Sequence, residues 1–219
     1  MNKITNFEYQ STFMNQNDVL KEIGSIRSLM EKSSKFMSIS GISGILIGTY
    51  ALVGAVLGYI TVYGFNSEFG YRDYYVTDNA ILYKLILIAS IVLLLSITTG
   101  VWMAKQKAKR VGQSIWNPAS KSLFAAMAIP LCTGGVLSLL LVWRGEFGMI
   151  ASSMLIFYGL SLNAASNFTF KELRWLGILD IILGLLALCL PGYGIWFWAL
   201  GFGILHIVYG LIVHQRYEK

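Results

Sequence analysis

Apolar positions along the 219-residue chain gather into six long blocks separated by short polar stretches. A helix that crosses a bilayer needs about 20 predominantly apolar residues at roughly 1.5 Å rise each. The blocks that meet this length run from Ser38 to Tyr63, Ala80 to Ala104, Ser122 to Trp143, Phe147 to Asn167, Leu173 to Leu190 and Gly194 to Val213. The connectors are 64–79, 105–121, 144–146, 168–172 and 191–193. The two shortest, 144–146 and 191–193, make spans three and four, and spans five and six, antiparallel hairpins. The pattern predicts an all-α fold, a six-transmembrane-helix bundle over 38–213, with a short tail at 214–219.

The segment before the bundle, 1–37, reads in two parts. Residues 1–17 are rich in Asn, Gln, Ser and Thr without apolar period, which predicts a flexible tail. They lack the charged and then apolar regions of a cleaved signal peptide. From 18 to 37, Val19, Ile23, Ile26, Met30 and Met37 fall at helical spacing among Lys21, Arg27, Lys32 and Lys35. This is the pattern of an amphipathic juxtamembrane helix, lying either in the headgroup layer or on the protein's own cytosolic face.

Composition narrows the class. Apolar residues make up 56% of the chain, charged residues only 13%, and the mean hydropathy is +0.63. A soluble domain carries about 25% charged residues. A cytosolic globular enzyme, a secreted disulfide scaffold and a disordered regulator are thereby excluded. Cys132 and Cys189 lie inside apolar blocks and read as small core residues. No phosphate-binding glycine loop, His-Glu-x-x-His or paired-cysteine motif is present. His206 and His214 share one helix, so a bis-histidine haem site within the chain is not expected. The expectation is no metal, no cofactor, no nucleic acid and no catalytic set.

Charge sets orientation. With the N-terminus inside, fourteen of the 17 Lys and Arg fall on the inner side, and only Arg72, Lys84 and Arg144 on the outer. The bias predicts a multi-pass protein of the plasma (inner) membrane with both termini cytosolic. Trp102, Trp143, Trp175, Trp196 and Trp198 fall near span ends, as interfacial tryptophans do, and Trp116 lies in a connector. Lys105, Lys107, Lys109 and Arg110 satisfy the same rule and offer a grip for anionic lipid at the cytosolic face. The outer connector 64–79 holds Phe65, Phe69, Tyr71, Tyr74 and Tyr75 among Glu68, Asp73 and Asp78, either an aromatic belt or a cap on the bundle.

Small residues mark where helices meet, because lipid tails give no hydrophobic drive for association and close backbone approach matters instead. Span one carries Gly41, Gly44, Gly48, Ala51, Ala55 and Gly58 as one stripe, whose partner lies in the same chain or in a second subunit. Span five carries Leu173, Gly177, Asp180, Gly184 and Ala187 on one face, and span six Ala199, Gly203, His206 and Gly210. Pro130, with Thr133, Gly134 and Gly135 nearby, predicts a kink in span three.

Asp180 and His206 are the constellation that bears chemistry. Asp180 lies six residues past Arg174 and His206 seven before Val213, which puts each about 10 Å inside the same boundary. Asn163, Ser96, Thr98 and Thr99 sit at comparable depth. An intramembrane aspartate usually has a partner or a task. The pair reads as a hydrogen-bonded clamp between neighbouring helices, or as a proton relay, pH sensor or polar substrate site.

The run from Ile26 to Gly44 and the run Gly201-Phe-Gly-Ile-Leu-His-Ile-Val-Tyr-Gly210 resemble a family of bacterial six-span membrane proteins to which no activity is assigned. The Gly177–Gly210 hairpin is also similar to one hairpin of the HdeD-type acid-resistance membrane proteins. The resemblances imply a six-span inner-membrane protein and, for the second, a link to acid stress. The expectation for function is a non-enzymatic membrane protein of structural, partner-binding or envelope-stress type, acting alone, as a homo-oligomer or with a protein partner. The alternative is a small transporter or proton-coupled channel that uses Asp180 and His206.

Overall fold

The computed structural model describes residues 21, 39–64, 79–110, 112, 114–190 and 192–219. The chain divides into two units, Met1–Ser34 and Lys35–Lys219, and the helical bundle lies in the second. The tail and amphipathic helix expected over 1–37 lie outside the described residues, Lys21 excepted, as do the aromatic residues of the 64–79 connector.

The described residues are helical, with no strand among them. Helix α1 is Gly41–Tyr63, α2 Asn79–Arg110, α3 Pro118–Arg144, α4 Ile150–Ala165 and α5 Glu172–Cys189. Short 3-10 turns, Phe147–Met149 and Ser166–Phe168, flank α4. The final span begins as α6, Gly194–Trp198, widens into a π-helical segment at Ala199–Leu205 and ends as α7, His206–Tyr217. Five of these helical stretches are long and apolar enough to cross a membrane. The exception is α5, where Glu172, Arg174 and Asp180 fall within a single 18-residue helix.

Local chemistry explains the boundaries. Helix α3 starts where Asn117 and Ser120 cap each other reciprocally and Pro118 occupies the first turn, a position that needs no N–H. It ends at Gly145, whose φ of 77° suits a residue without Cβ. It runs as one helix through Pro130, where the sequence predicts a kink. Helix α2 continues to Arg110, past the apolar block, because its last turns carry Lys107, Lys109 and Arg110 at the end where a helix favours cations.

Two antiparallel pairs form the interior, each closed by glycine. Helix α1 lies against the last span: a Cβ on Gly44 would stand 3.0 Å from Gly210 Cα, and one on Gly48 2.6 Å from the Gly203 carbonyl. A Cβ on Gly41 would collide with the backbone nitrogen of His214. All six residues of the span-one stripe, Gly41, Gly44, Gly48, Ala51, Ala55 and Gly58, are buried. Helices α4 and α5 repeat the device: a Cβ on Gly159 would stand 2.5 Å from the Gly177 carbonyl, and one on Gly177 2.6 Å from that of Gly159. Helix α2 packs on α1 and α3 on α4, so the two flank the interior pairs.

The cysteine expectation is corrected. Cys132 and Cys189 are both exposed on the outside of the bundle, because the faces that α3 and the end of α5 turn inward carry Ala119, Ser120, Leu123 and Gly134, and Gly184 and Ala187. The apolar cluster that is buried, including Leu123, Leu162, Phe170, Leu173, Leu176 and Val213, gathers toward the end of the bundle that holds the C-terminus.

Candidate functional site

Asp180 is fully buried, 0% exposed, on the α5 face that packs against α4. His206 is 4% exposed at the first position of α7. Both converge on Gly201, inside the π-helical segment. His206 Nδ1 lies 2.9 Å from the Gly201 carbonyl oxygen, five residues back along the chain. A carbonyl only accepts, so Nδ1 carries a proton in that bond. Nε2 lies 2.9 Å from the Tyr158 hydroxyl on α4. In a neutral ring Nε2 then accepts from the tyrosine O–H. The Tyr158 ring also packs beside the His206 and Phe202 rings, with centroids 5.5 Å and 5.1 Å away.

Asp180 touches the same glycine from the other side. A Cβ on Gly201 would sit 2.9 Å from Asp180 Oδ1 and would collide with Leu155. Neither carboxyl oxygen has a hydrogen-bond partner among the described residues. The hydrogen-bonded Asp180–His206 clamp is therefore corrected: the two residues share Gly201 but do not bond each other. The physical reason is valence. His206 commits one ring nitrogen to Gly201 and the other to Tyr158, which leaves none for the carboxyl.

The other expected neighbours lie elsewhere. Thr98 is exposed on α2, with its hydroxyl turned back onto the Leu94 carbonyl at 2.7 Å. Thr99 is 3.4 Å from the Tyr50 hydroxyl, between α2 and α1. Asn163 is half-buried at the end of α4, where its carbonyl accepts from Ser166 at 2.6 Å. Tyr158 and Gly201 do not stand out in the sequence. Tyr158 is a tyrosine in an otherwise apolar stretch, a weak signal, and the carbonyl of a glycine carries none.

A second polar cluster joins three helices at the C-terminal end of the bundle. Glu218 Oε1 accepts from the Gly41 backbone N–H at 3.0 Å and from Lys107 Nζ at 2.8 Å, and Oε2 is 2.7 Å from His214 Nδ1. Gly41 opens α1, so Glu218 satisfies a first-turn donor that the helix itself cannot. Burial pushes the Glu218 carboxyl up, but the bonds from His214, Lys107 and Gly41 outweigh it and hold the group down at about 2. Lys107 also donates to the Ile39 carbonyl at 2.9 Å. Of the four cations expected to grip lipid, Lys107 is thus turned inward, and Lys105, Lys109 and Arg110 are exposed. Glu172 ties α5 to the same end through Arg216 at 2.8 Å.

Among the described residues no three His, Cys, Asp or Glu side chains stand close enough to hold a metal ion. No protein family, curated protein or solved structure matches the chain.

Proposed function

We propose that this chain is a six-span protein of the plasma membrane, both termini cytosolic, whose role is non-enzymatic: a rigid scaffold for a protein partner or a second copy, of structural or envelope-stress type. Helix α5 serves as the sixth span, its Asp180 and glycines turned to protein rather than lipid. The observation that supports the scaffold is the closed packing around Gly201. Asp180 is wholly enclosed and His206 has both ring nitrogens engaged. A relay needs a carrier that water or substrate reaches from each side, and such packing opposes that.

A second reading is favoured by one observation. Both Asp180 oxygens lack a hydrogen-bond partner among the described residues, beside a π-helical segment of the kind often found at functional sites. On that reading the chain is a proton-coupled transporter or channel. Proton flux into liposomes holding the purified protein decides between them. The scaffold predicts flux no greater than in empty liposomes, for the wild type and for Asp180→Asn alike. Flux that vanishes in Asp180→Asn overturns the scaffold and installs the second reading.

A further inference from the structure

Among the described residues, the acids other than Asp180 stand at helix ends, where a cation or solvent meets them. Glu172 has Arg216, Glu218 has Lys107 and His214, and Glu146 is exposed. Asp180 is fully buried and its oxygens have no partner. Among the described elements, α5 packs against α4, the three parts of the last span and both 3-10 turns. Helix α4, α6, the π-helical segment and the two turns carry no Lys, Arg, His, Asp or Glu. The titratable groups that α4 and α7 turn toward the interior are Tyr158, His206 and Tyr209, and the first two bond each other. His214, Arg216 and Tyr217, at the far end of α7, are bonded to Glu218 and Glu172. On α5 itself Arg174 is exposed, six residues away. No cation therefore faces the carboxyl except His206, whose ring nitrogens are both engaged.

An ionised carboxyl without water, donors or a cation is among the costliest groups to bury, and the neutral acid is far cheaper. The contact with Gly201 leaves no room for water to supply donors, since even a Cβ on that glycine would stand 2.9 Å from Asp180 Oδ1 and collide with Leu155. An ionised Asp180 and a closed contact thus exclude each other. Helix α5 is fixed on α4 where Gly159 and Gly177 meet backbone to backbone. The side left to yield is the last span, at its π-helical segment Ala199–Leu205, a helical geometry that is rare in folded proteins.

We propose that Asp180 is a proton-binding site that latches the last span to α5: the neutral acid keeps Gly201 in contact, and loss of the proton opens that contact to water. The step is acid–base only. The carboxyl O–H bond breaks, its electron pair stays on the carboxylate, and the proton passes to water. The latch deepens the scaffold reading by making the packing of the scaffold respond to pH. It rests on that reading in one respect, that the proton is bound and released at one place without crossing the membrane.

Infrared difference spectroscopy of the full chain in liposomes, titrated in pH, reads the neutral acid directly. The wild type at pH 7 is expected to show the carbonyl stretch of a neutral carboxylic acid that Asp180→Asn lacks, and that stretch should fade as the pH is raised. Maleimide labelling of Leu155→Cys reads the contact, because Leu155 is wholly buried against Gly201. Its rate is divided by the rate with Asp180→Asn also present, which cancels the thiol's own ionisation. The ratio should climb about tenfold for each pH unit below the infrared midpoint. Ser152→Cys, fully buried one turn away on the same helix, serves where Leu155→Cys fails to fold. Absence of the stretch at pH 7, a stretch that does not titrate while the protein stays folded, or a labelling ratio that does not change with pH overturns the proposal. Liposome flux is read separately. Flux that vanishes in Asp180→Asn overturns the scaffold without touching the titrating stretch, so the two failures are distinguishable.

Discussion

The interior pairs and the flanking helices solve the same membrane problem in opposite ways. Helices α1, α4 and the last span bury 28–33% of their most apolar stretch inside the protein, whereas α2 buries 0% and α3 6%. The interior pairs bring backbone onto backbone through Gly44, Gly48, Gly159 and Gly177, with carbonyl oxygens where a methyl would go. The flanking helices rest on side chains and give most of their surface to lipid, including Leu94, Ile129 and Leu139. Hydropathy alone ranks α2 as the best span. It says nothing about which helices hold the fold, because Leu facing lipid and Leu facing protein are energetically alike in a bilayer.

The comparison breaks most readily at its glycines. Gly159→Ala places a methyl against the Gly177 carbonyl and should destabilise by about 3 kcal/mol, at the upper end of overpacking effects. Gly135→Ala on α3 meets nothing within 4 Å and should leave stability within about 0.5 kcal/mol or raise it slightly. Reversible unfolding in mixed micelles measures both. Equal effects would mean that the interior and flanking helices are held alike.

A smaller effect separates the two buried ionisable residues. His206→Leu strands the Tyr158 hydroxyl and should lose about 2 kcal/mol. Tyr158→Phe strands His206 Nε2 by a similar amount, and the double variant should lose far less than the sum. Asp180→Leu removes two unpartnered oxygens and should stabilise by about 1 kcal/mol. Its coupling to His206→Leu should be the weaker of the two. Strong coupling of Asp180 to His206 in this cycle would restore the clamp.

A further effect of about 1 kcal/mol lies at the Glu218 junction. Its carboxyl is held at about 2, below its ordinary value of 4.5, so the charged form is favoured by folding. The stability it adds is present above about pH 4.5 and is lost as pH falls toward 2. Glu218→Gln should lower stability by about 1 kcal/mol at pH 7, the scale of a screened surface pair, and flatten that part of the acid limb. An unchanged acid limb would remove Glu218 from the junction.

The apolar part of each described helix was legible because a bilayer demands one length and one polarity, whereas the polar extensions of α2 to Arg110 and of α3 back to Pro118 were not. The observed α5, Glu172–Cys189, lies within one residue of the apolar block from Leu173 to Leu190. The glycine stripe of α1 was legible as a contact face, since small residues at helical spacing have few other uses. Its partner was not, because Gly41 and His214 meet only through the fold. That Asp180 and His206 stand at one level of the bundle, beside Gly201, could be read by counting residues. Their bonding did not, because it depends on the Gly201 carbonyl and on a π-helical turn that apolar periodicity does not encode. Glu218 is silent in the sequence for a related reason. Its donors come from α1, α2 and α7, and only His214 is near it in the chain.

The two glycine-closed pairs also differ in when they become available to each other. Helices α4 and α5 leave the ribosome in succession, and the Gly159–Gly177 contact can close as soon as that hairpin is made. Gly41 and Glu218 are 177 residues apart. At roughly 5–20 residues per second, α1 waits on the order of ten to thirty-five seconds for its partner. The contact of α4 with α5 is thus local in synthesis, whereas that of α1 with Gly203 and Gly210 has to await every helix between them.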